Sequence, residues 1–202
     1  MAIKRMGKSK ISMIRKESDI ILRETICKIK EIKTVLNAGS SQNSMDGHGD
    51  LYRNYFKSVD YYTLDNNKGE SKKNHFNMDL HDLSSLDMKF DLVLCTSVLE
   101  HVRNPFLVAQ QLESVSSGYI FVVVPFMFPF HPKVSGKVKD YWRFTDSGLR
   151  ELFNNSIEVW IKNIKSVIRS VKDKKEVIGK PHKGWTKANS STGYVALFEK
   201  KK

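Results

Sequence analysis

A chain of 202 residues is long enough for one domain with a single core, which at this size buries roughly 70% of the surface that the unfolded chain exposes. Its two cysteines, Cys27 and Cys95, have no second thiol near them in sequence, which excludes a disulfide scaffold and a cysteine metal motif. The cysteine content therefore predicts a reducing, cytoplasmic compartment and no bound metal.

The net charge of +12 raises the possibility of a nucleic-acid-binding protein, because clustered cations release counterions from phosphates. The charge comes from 26 lysines and only 8 arginines, spread over both termini and residues 162–187. Arginine is the better bidentate ligand for phosphate, so this pattern favours a solvated surface that serves solubility.

Neither a secretory signal nor a transmembrane segment is expected. The basic residues 1–10 are not followed by a continuous apolar stretch. The longest apolar run, residues 119–130, is too short to cross a bilayer and contains Pro125 and Pro129. We interpret this run as a buried strand that leads into a loop.

Along the chain, apolar segments of strand length alternate with segments of helical period, which predicts βαβ units and a mostly parallel sheet. The first helical segment, residues 11–33, is amphipathic and is expected to pack on the edge of the sheet. We therefore divide the chain into a basic arm and helix, residues 1–33, and a domain of residues 34–202. Seven strands are predicted, at residues 34–38, 59–64, 75–79, 90–95, 119–124, 157–161 and 193–199.

Helical spacing recurs between these strands, at residues 51–56, 104–115 and 146–153. Asn104 before Pro105 and Thr145 before Asp146 are typical helix starts, because a short polar side chain caps the first turn and proline fits within it.

The turn after the first strand, Asn37-Ala38-Gly39-Ser40-Ser41, is the first candidate for a binding site. Ligands of open parallel sheets bind at the carboxyl ends of the strands, and a glycine there lets the backbone pass close beneath a ligand. An ordinary strand-to-helix turn explains the same residues. The dinucleotide pattern G-x-G-x-x-G is absent, which disfavours an NAD enzyme.

Two carboxylates end the next two predicted strands. Asp65 is placed to accept two hydrogen bonds from a ribose diol, although an exposed turn aspartate is the alternative. Asp79, together with the backbone N–H of Leu80, presents an acceptor and a donor that match the edge of adenine.

Taken together, five stretches resemble the ordered motifs of class I S-adenosylmethionine-dependent methyltransferases, over roughly residues 34–153. They are VLNAGSS at residues 35–41, YYTLD at 61–65, MDLHDLS at 78–84, FDLVLCTSVLEHVRNPF at 90–106 and YIFVVVPF at 119–126. The fourth is the most specific and is similar to the methyltransferase type 11 branch. Residues 125–132, PFMFPFHP, and 140–153, DYWRFTDSGLRELF, further resemble methyltransferases of glycan and cell-surface polysaccharide pathways.

The resemblance implies a Rossmann-like, seven-stranded, mostly parallel sheet with helices on both faces, and S-adenosyl-L-methionine as the cofactor. It implies a cofactor site made of Asn37, Ala38, Gly39 and Ser40 for the methionine part, Asp65 for the ribose, Asp79 and Leu80 for the adenine, and Cys95 and Thr96 beside the amino-acid group and the substrate cavity. The family usually has an acidic residue where Asn37 stands and a second glycine near Ser41, so the contacts to the methionine end are expected to be weaker or water-mediated.

A hydroxyl acceptor must lose its proton, so the candidate catalytic bases are His101 and His131. A structural alternative for His101 is that it holds its loop through Glu100 or a backbone carbonyl. The candidate acceptor-binding residues are Tyr141, Trp142 and Arg143, because aromatic faces stack on sugar rings and arginine forks to anions. Core packing of Trp142 and Phe144, with Arg143 and Asp140 paired beneath them, explains the same run, and both interpretations can hold together.

The sequence therefore predicts a methyltransferase that acts on a small-molecule or carbohydrate-like acceptor, with oxygen favoured over nitrogen. A non-catalytic binding module of this fold is the main alternative, motivated by Asn37 and the missing second glycine. A nucleic-acid methyltransferase is a third hypothesis, and the net positive charge is the one observation that supports it.

Overall fold

In the computed structural model, the described residues are 13–41, 43–46, 49–66, 73–128, 139–165 and 191–201. They form one seven-stranded sheet in the order β3-β2-β1-β4-β5-β7-β6, in which β7 runs antiparallel to the other six strands. The strands are β1 Thr34–Ala38, β2 Asp60–Asp65, β3 His75–Asn77, β4 Phe90–Thr96, β5 Ser116–Pro125, β6 Ser156–Lys165 and β7 Ser191–Lys200. The predicted α/β fold and all seven predicted strands are confirmed.

Two strands differ from their predicted bounds for local reasons. β3 ends at Asn77 because the carboxylate of Asp79 accepts a hydrogen bond from the backbone N–H of His81 and caps a 3-10 helix, Leu80–Ser85. β5 begins at Ser116, immediately after a helix ends, because Ser116 already pairs with Phe90 of β4.

Three α-helices accompany the sheet: α1 Met13–Glu24, α2 Pro105–Val115 and α3 Asp146–Leu152. The predicted helix starts are confirmed, since Asn104 accepts a hydrogen bond from Leu107 N at 3.1 Å and Thr145 accepts one from Gly148 N at 3.0 Å. Short 3-10 helices occupy Ile26–Lys28, Tyr52–Tyr55 and Leu99–His101. Within the described residues, no helix is long and apolar enough to cross a membrane.

The first helix departs from prediction in length and in place. α1 ends at Glu24, well before residue 33, because the chain turns through Ile26–Lys28 and buries Ile26 before it enters β1. Packing on the sheet edge was a wrong prediction. α1 lies across the face formed by β5, β6 and β7, because its apolar side chains Ile14 and Leu22 fill the core on that face.

The sheet separates two apolar core layers. One layer, under α2 and α3, contains Leu36, Leu64, Val93, Leu112, Leu149 and Phe198 among its buried side chains. The other, under α1, contains Ile14, Leu22, Val35, Phe121 and Val195. Strand order reverses between β1 and β4, so the crevice at their carboxyl ends is the place where a sheet of this kind holds a ligand.

Candidate functional site

The turn after β1 brings the backbone close to the neighbouring strands. Gly39 has a positive φ of 76°, and a Cβ built on it would lie 2.7 Å from both methyl carbons of Val98. The following residue, Ser40, donates its N–H to the carbonyl of Leu64 at 2.8 Å. Glycine is therefore required at residue 39 by both backbone conformation and space.

Asn37 lies beneath this turn and joins β1 to β2. Its side chain is buried, and its Nδ2 donates to the Tyr61 hydroxyl at 2.7 Å. Within the described part of the chain, its Oδ1 has no hydrogen-bond partner. The position that is usually acidic in the resembled family thus carries a buried amide whose carbonyl oxygen can still accept a hydrogen bond.

Asp65 and Asp79 lie at the ends of neighbouring strands. Asp65 pairs with Asn77 across β2 and β3, and Asp79 follows two residues later. The Asn66 side chain also donates to the Asp79 carboxylate, which links the two strand ends directly. The structure therefore brings the two predicted nucleoside-binding carboxylates to one edge, beside the Gly39 turn.

The Asp79 carboxylate is half-exposed and fixed in place. It accepts hydrogen bonds from His81 N at 2.9 Å and His81 Nδ1 at 2.5 Å. Partial burial by itself would raise the pKa of Asp79, but the hydrogen bonds from His81 outweigh that effect and hold the pKa below its usual value. Asp79 is thus an ionised acceptor at the rim of the crevice.

The end of β4 lies on the other side of β1 from Asp65 and Asp79. The side chain of Cys95 is fully buried in the core, and this burial raises the pKa of its thiol. Thr96 is half-buried, and Ser97, with a positive φ of 54°, donates its N–H to the Val123 carbonyl at 2.9 Å. At this strand end, the Cys95 backbone and the Thr96 side chain are therefore the groups nearest the edge.

A buried carboxyl follows β4. The Glu100 side chain has no exposed surface, and burial raises its pKa to about 8, with the Asp140 charge adding to the shift and Arg143 opposing it. The neighbouring His101 places Nδ1 at 2.6 Å from the Lys139 carbonyl and Nε2 at 3.8 Å from Glu100 Oε1. Because a carbonyl only accepts, Nδ1 of His101 carries the proton.

The segment before α3 is docked on this post-β4 loop. The Glu100 carbonyl accepts hydrogen bonds from Tyr141 N at 2.7 Å and Trp142 N at 3.2 Å, and Trp142 Nε1 donates to the Val102 carbonyl at 2.9 Å. Tyr141 and Trp142 keep somewhat less than half of their surface exposed. The structure therefore places all three predicted acceptor residues, 141–143, next to the end of β4.

Arg143 already has partners at both terminal nitrogens. Nη1 donates to Asp140 Oδ1 at 2.5 Å and to the Trp142 carbonyl at 2.7 Å, while Nη2 donates to Asp140 Oδ2 at 2.7 Å and to the Phe128 carbonyl at 3.4 Å. The Asp140 side chain is fully buried beneath it. The Asp140–Arg143 pair of the alternative interpretation is therefore present. Tyr141 and Trp142 nevertheless stay exposed and are not part of the core.

Solved structures of other proteins have the same fold, although no family model and no curated protein matches this sequence. An S-adenosylmethionine-dependent methyltransferase from Clostridium acetobutylicum ATCC 824 matches with a TM-score of 0.61 and 9% identity, over 92% of this chain and 91% of that one. The N-methyltransferase NodS from Bradyrhizobium japonicum WM9, in complex with S-adenosyl-L-homocysteine, matches with a TM-score of 0.58 and 10% identity, over 96% and 90%. The chain has the class I methyltransferase fold.

A third structure of this fold, TehB from Haemophilus influenzae, matches with a TM-score of 0.55 and 15% identity over 89% of this chain. The chain spans 61% of TehB. The candidate cofactor residues all follow or end strands β1 to β4 at the carboxyl edge of the sheet. The candidate base His131 lies outside the described residues.

The roles of three residues at the candidate site were not predicted from the sequence, although Glu100 was named there as a possible partner of His101. Val98 fills the space over Gly39, Asn66 donates to Asp79, and Glu100 is a buried carboxyl with a raised pKa. Asn66 directly follows Asp65, so its place at a strand end was a usable signal. Nothing in local sequence indicates that Val98 folds back over residue 39.

Proposed function

We propose that the protein is an S-adenosylmethionine-dependent methyltransferase. The observation that carries this proposal is the meeting of Asp65 and Asp79 at adjacent strand ends beside the Gly39 turn, in a class I methyltransferase fold. The hydrogen-bond acceptors fit the cofactor, since two carboxylates can accept from a ribose diol and from an exocyclic amine, and the close turn accommodates a ligand without phosphates.

In this proposal, Asp65 holds the ribose, and Asp79 with the N–H of Leu80 holds the adenine. The backbone of Ala38, Gly39 and Ser40 lies under the methionine part, with Cys95 and Thr96 on the opposite side. The buried Oδ1 of Asn37 stands where the resembled family has a carboxylate, and it supplies an acceptor without a charge. We therefore expect weaker attraction for the cofactor's ammonium group than a carboxylate gives.

The cofactor supplies an already activated methyl group on a sulfonium. The chain's own residues then need to place the acceptor in line with that methyl group and to accept one proton, which makes positioning the main source of rate. His101 is a candidate base because its Nδ1–H is fixed on Lys139, which leaves Nε2 as the basic nitrogen. His131 remains the second candidate.

The acceptor that we propose is a small or carbohydrate-like molecule, methylated at oxygen. Exposed aromatic faces at Tyr141 and Trp142 support a ring-shaped acceptor, because they stack on the apolar faces of sugars. Arg143 lies next to these rings and is held in place by Asp140 and the Phe128 carbonyl. The resemblance of residues 125–132 and 140–153 to glycan-pathway enzymes supports a role in polysaccharide biosynthesis in the cytoplasm.

Calorimetry with S-adenosyl-L-homocysteine tests the cofactor site. We expect binding by the wild-type chain, and Asp65→Asn should weaken it about tenfold or more, because two charge-assisted hydrogen bonds to the ribose are lost. The matched control is Asp60→Asn, an exposed aspartate at the opposite end of the same strand, which should bind as the wild type does. Equal affinity of the two variants, or no binding by the wild type, would reject the proposal.

A non-catalytic binding module is the second candidate, and the uncharged Asn37 is the observation that favours it. Both candidates predict binding of the cofactor, so turnover separates them. The protein is incubated with S-adenosyl-L-methionine and pooled sugar and glycolipid acceptors. Even slow formation of S-adenosyl-L-homocysteine in this mixture indicates an enzyme. Restoring the carboxylate with Asn37→Asp should tighten binding of the cofactor in either case.

A further inference from the structure

Large apolar side chains are exposed at the same end of the sheet as the candidate site. In the described residues, four of the eight exposed large apolar side chains follow the carboxyl ends of β4 and β5: Phe106 (53% exposed), Met127 (40%), Tyr141 (45%) and Trp142 (40%). We call these four residues the apolar rim. Exposed apolar groups that cluster beside a site mark a place where an apolar partner binds.

Hydrogen bonds connect the segments that carry the rim. Trp142 is joined to the post-β4 loop through Val102, four residues before Phe106 in the first turn of α2. On its other side, Arg143 donates to the carbonyl of Phe128, which directly follows Met127. The segments that carry the four rim residues are thus tied to one another by hydrogen bonds beside the candidate site.

The rim is held in place before any ligand arrives. Both the backbone N–H and the indole N–H of Trp142 are bonded to carbonyls, and Tyr141 N is bonded as well. The Trp142 ring is therefore held in one orientation and loses little freedom on binding, and the backbone of Tyr141 is fixed beside it. The nearby charges do not oppose an apolar ligand, since Asp140 and Arg143 neutralise each other and the Glu100 side chain is fully buried.

We propose that the methyl acceptor is amphipathic, with its nucleophile at the cofactor edge and an aliphatic chain or ring on the apolar rim. This inference rests on the proposed methyl transfer, because it identifies the rim's ligand with the acceptor. A plain sugar has little apolar surface to offer Phe106 and Met127, whereas an attached hydrocarbon adds the apolar surface that such side chains favour.

Binding of n-octyl β-D-glucoside, kept below its critical micelle concentration, tests the inference against methyl β-D-glucoside, which has the same sugar and no chain. Calorimetry is performed with and without S-adenosyl-L-homocysteine. We expect saturable binding of the octyl compound at least tenfold tighter than that of the methyl compound. Phe106→Ser should weaken octyl glucoside binding about tenfold and leave the affinity for S-adenosyl-L-homocysteine unchanged.

The matched control is Ile157→Ser on β6, whose side chain is 50% exposed at the far edge of the sheet. It should bind octyl glucoside as the wild type does. Equal affinity for the two glucosides, or equal losses in the two variants, overturns the inference. Phe106-dependent binding to phosphatidylcholine vesicles without binding of monomeric octyl glucoside also overturns it, since the rim would then dock on a lipid surface. Failure to bind S-adenosyl-L-homocysteine rejects the proposed function separately.

Discussion

Gly39 is required for two reasons, its positive φ and the lack of space for a side chain, and a pair of variants separates the two effects. Gly39 and Gly49 both have positive φ angles, 76° and 94°, so alanine is strained at each. Only Gly39 also faces Val98, whereas in the described residues a Cβ on Gly49 would meet no atom within 4 Å. The space over residue 39 is thus filled by a neighbour from the loop after β4.

We predict that Gly39→Ala lowers the free energy of unfolding by about 1–3 kcal/mol more than Gly49→Ala does, because the new methyl group collides with Val98. Urea denaturation measures both variants. Adding Val98→Ala to Gly39→Ala should recover part of the loss. Equal losses for the two glycine variants would contradict the close approach.

Glu100 gives a pH-dependent prediction. Its folded pKa of about 8 lies above the usual 4.5, so the folded state favours the protonated form. Its contribution to stability is therefore complete below pH 4.5 and is lost as pH rises towards 8. Glu100→Gln mimics the protonated form at every pH, and relative to the wild type it should gain on the order of a few kcal/mol in unfolding free energy between pH 5 and 8.

Urea denaturation at the two pH values measures that gain, and Glu151→Gln, an exposed glutamate on α3, is the control that should show little change. If the difference in unfolding free energy between Glu100→Gln and the wild type is the same at pH 5 and pH 8, the pKa of Glu100 is not raised.

At the level of the elements, α1 is fastened to the loop after β1 as well as to the sheet. The Tyr52 hydroxyl donates to Asp19 Oδ1 at 2.7 Å, and Arg23 Nη2 donates to Asp46 Oδ2 at 2.9 Å. Both aspartates are buried, so these bonds contribute more than surface pairs do. Removing one such donor weakens the attachment of the whole helix.

Tyr52→Phe is predicted to cost about 1.5–3 kcal/mol, because the buried Asp19 carboxylate loses its bond from the tyrosine. Chemical denaturation measures the loss, and hydrogen exchange should show that protection falls most in α1. Tyr141→Phe removes a hydroxyl from an exposed tyrosine and should be neutral for stability. Equal stability of the two variants would show that the bond to Asp19 adds nothing.

The elements also show what local sequence can predict. The strands were predictable because apolar runs such as Leu92–Cys95 are buried on both faces, and the caps at Asn104 and Thr145 act within one turn. The face on which α1 packs, and the placement of Val98 over Gly39, depend on contacts between residues far apart in sequence. Those contacts leave no periodic or local signal.

Some positions of the candidate site were predictable from local sequence, and others depend on contacts between distant residues. The positions of Asp65 and Asp79 were predictable because Asp65 ends β2, Asp79 follows β3 by two residues, and the carboxyl ends of parallel strands share one edge. The partners of Arg143 and the burial of Glu100 were less accessible, because they arise when residues 139–143 dock on the post-β4 loop.

For the whole molecule, two core layers share one sheet, so we expect a single cooperative unit. Leu22→Ala on α1 and Leu112→Ala on α2 each remove a fully buried side chain, from opposite layers, and should each cost about 2–5 kcal/mol. Circular dichroism and tryptophan fluorescence should give coincident unfolding curves for both variants. Separate transitions in Leu22→Ala would instead show that α1 unfolds on its own, as a division at residue 33 predicts.

The segment between β5 and α3 starts and finishes at neighbouring anchors. Phe126 and Met127 donate their N–H groups to carbonyls of the β7 start, residues 139–142 are bonded to the post-β4 loop, and Arg143 joins both sides through Phe128. Arg143 therefore ties the end of β5 to the segment that leads into α3, so replacing this one side chain would loosen both at once.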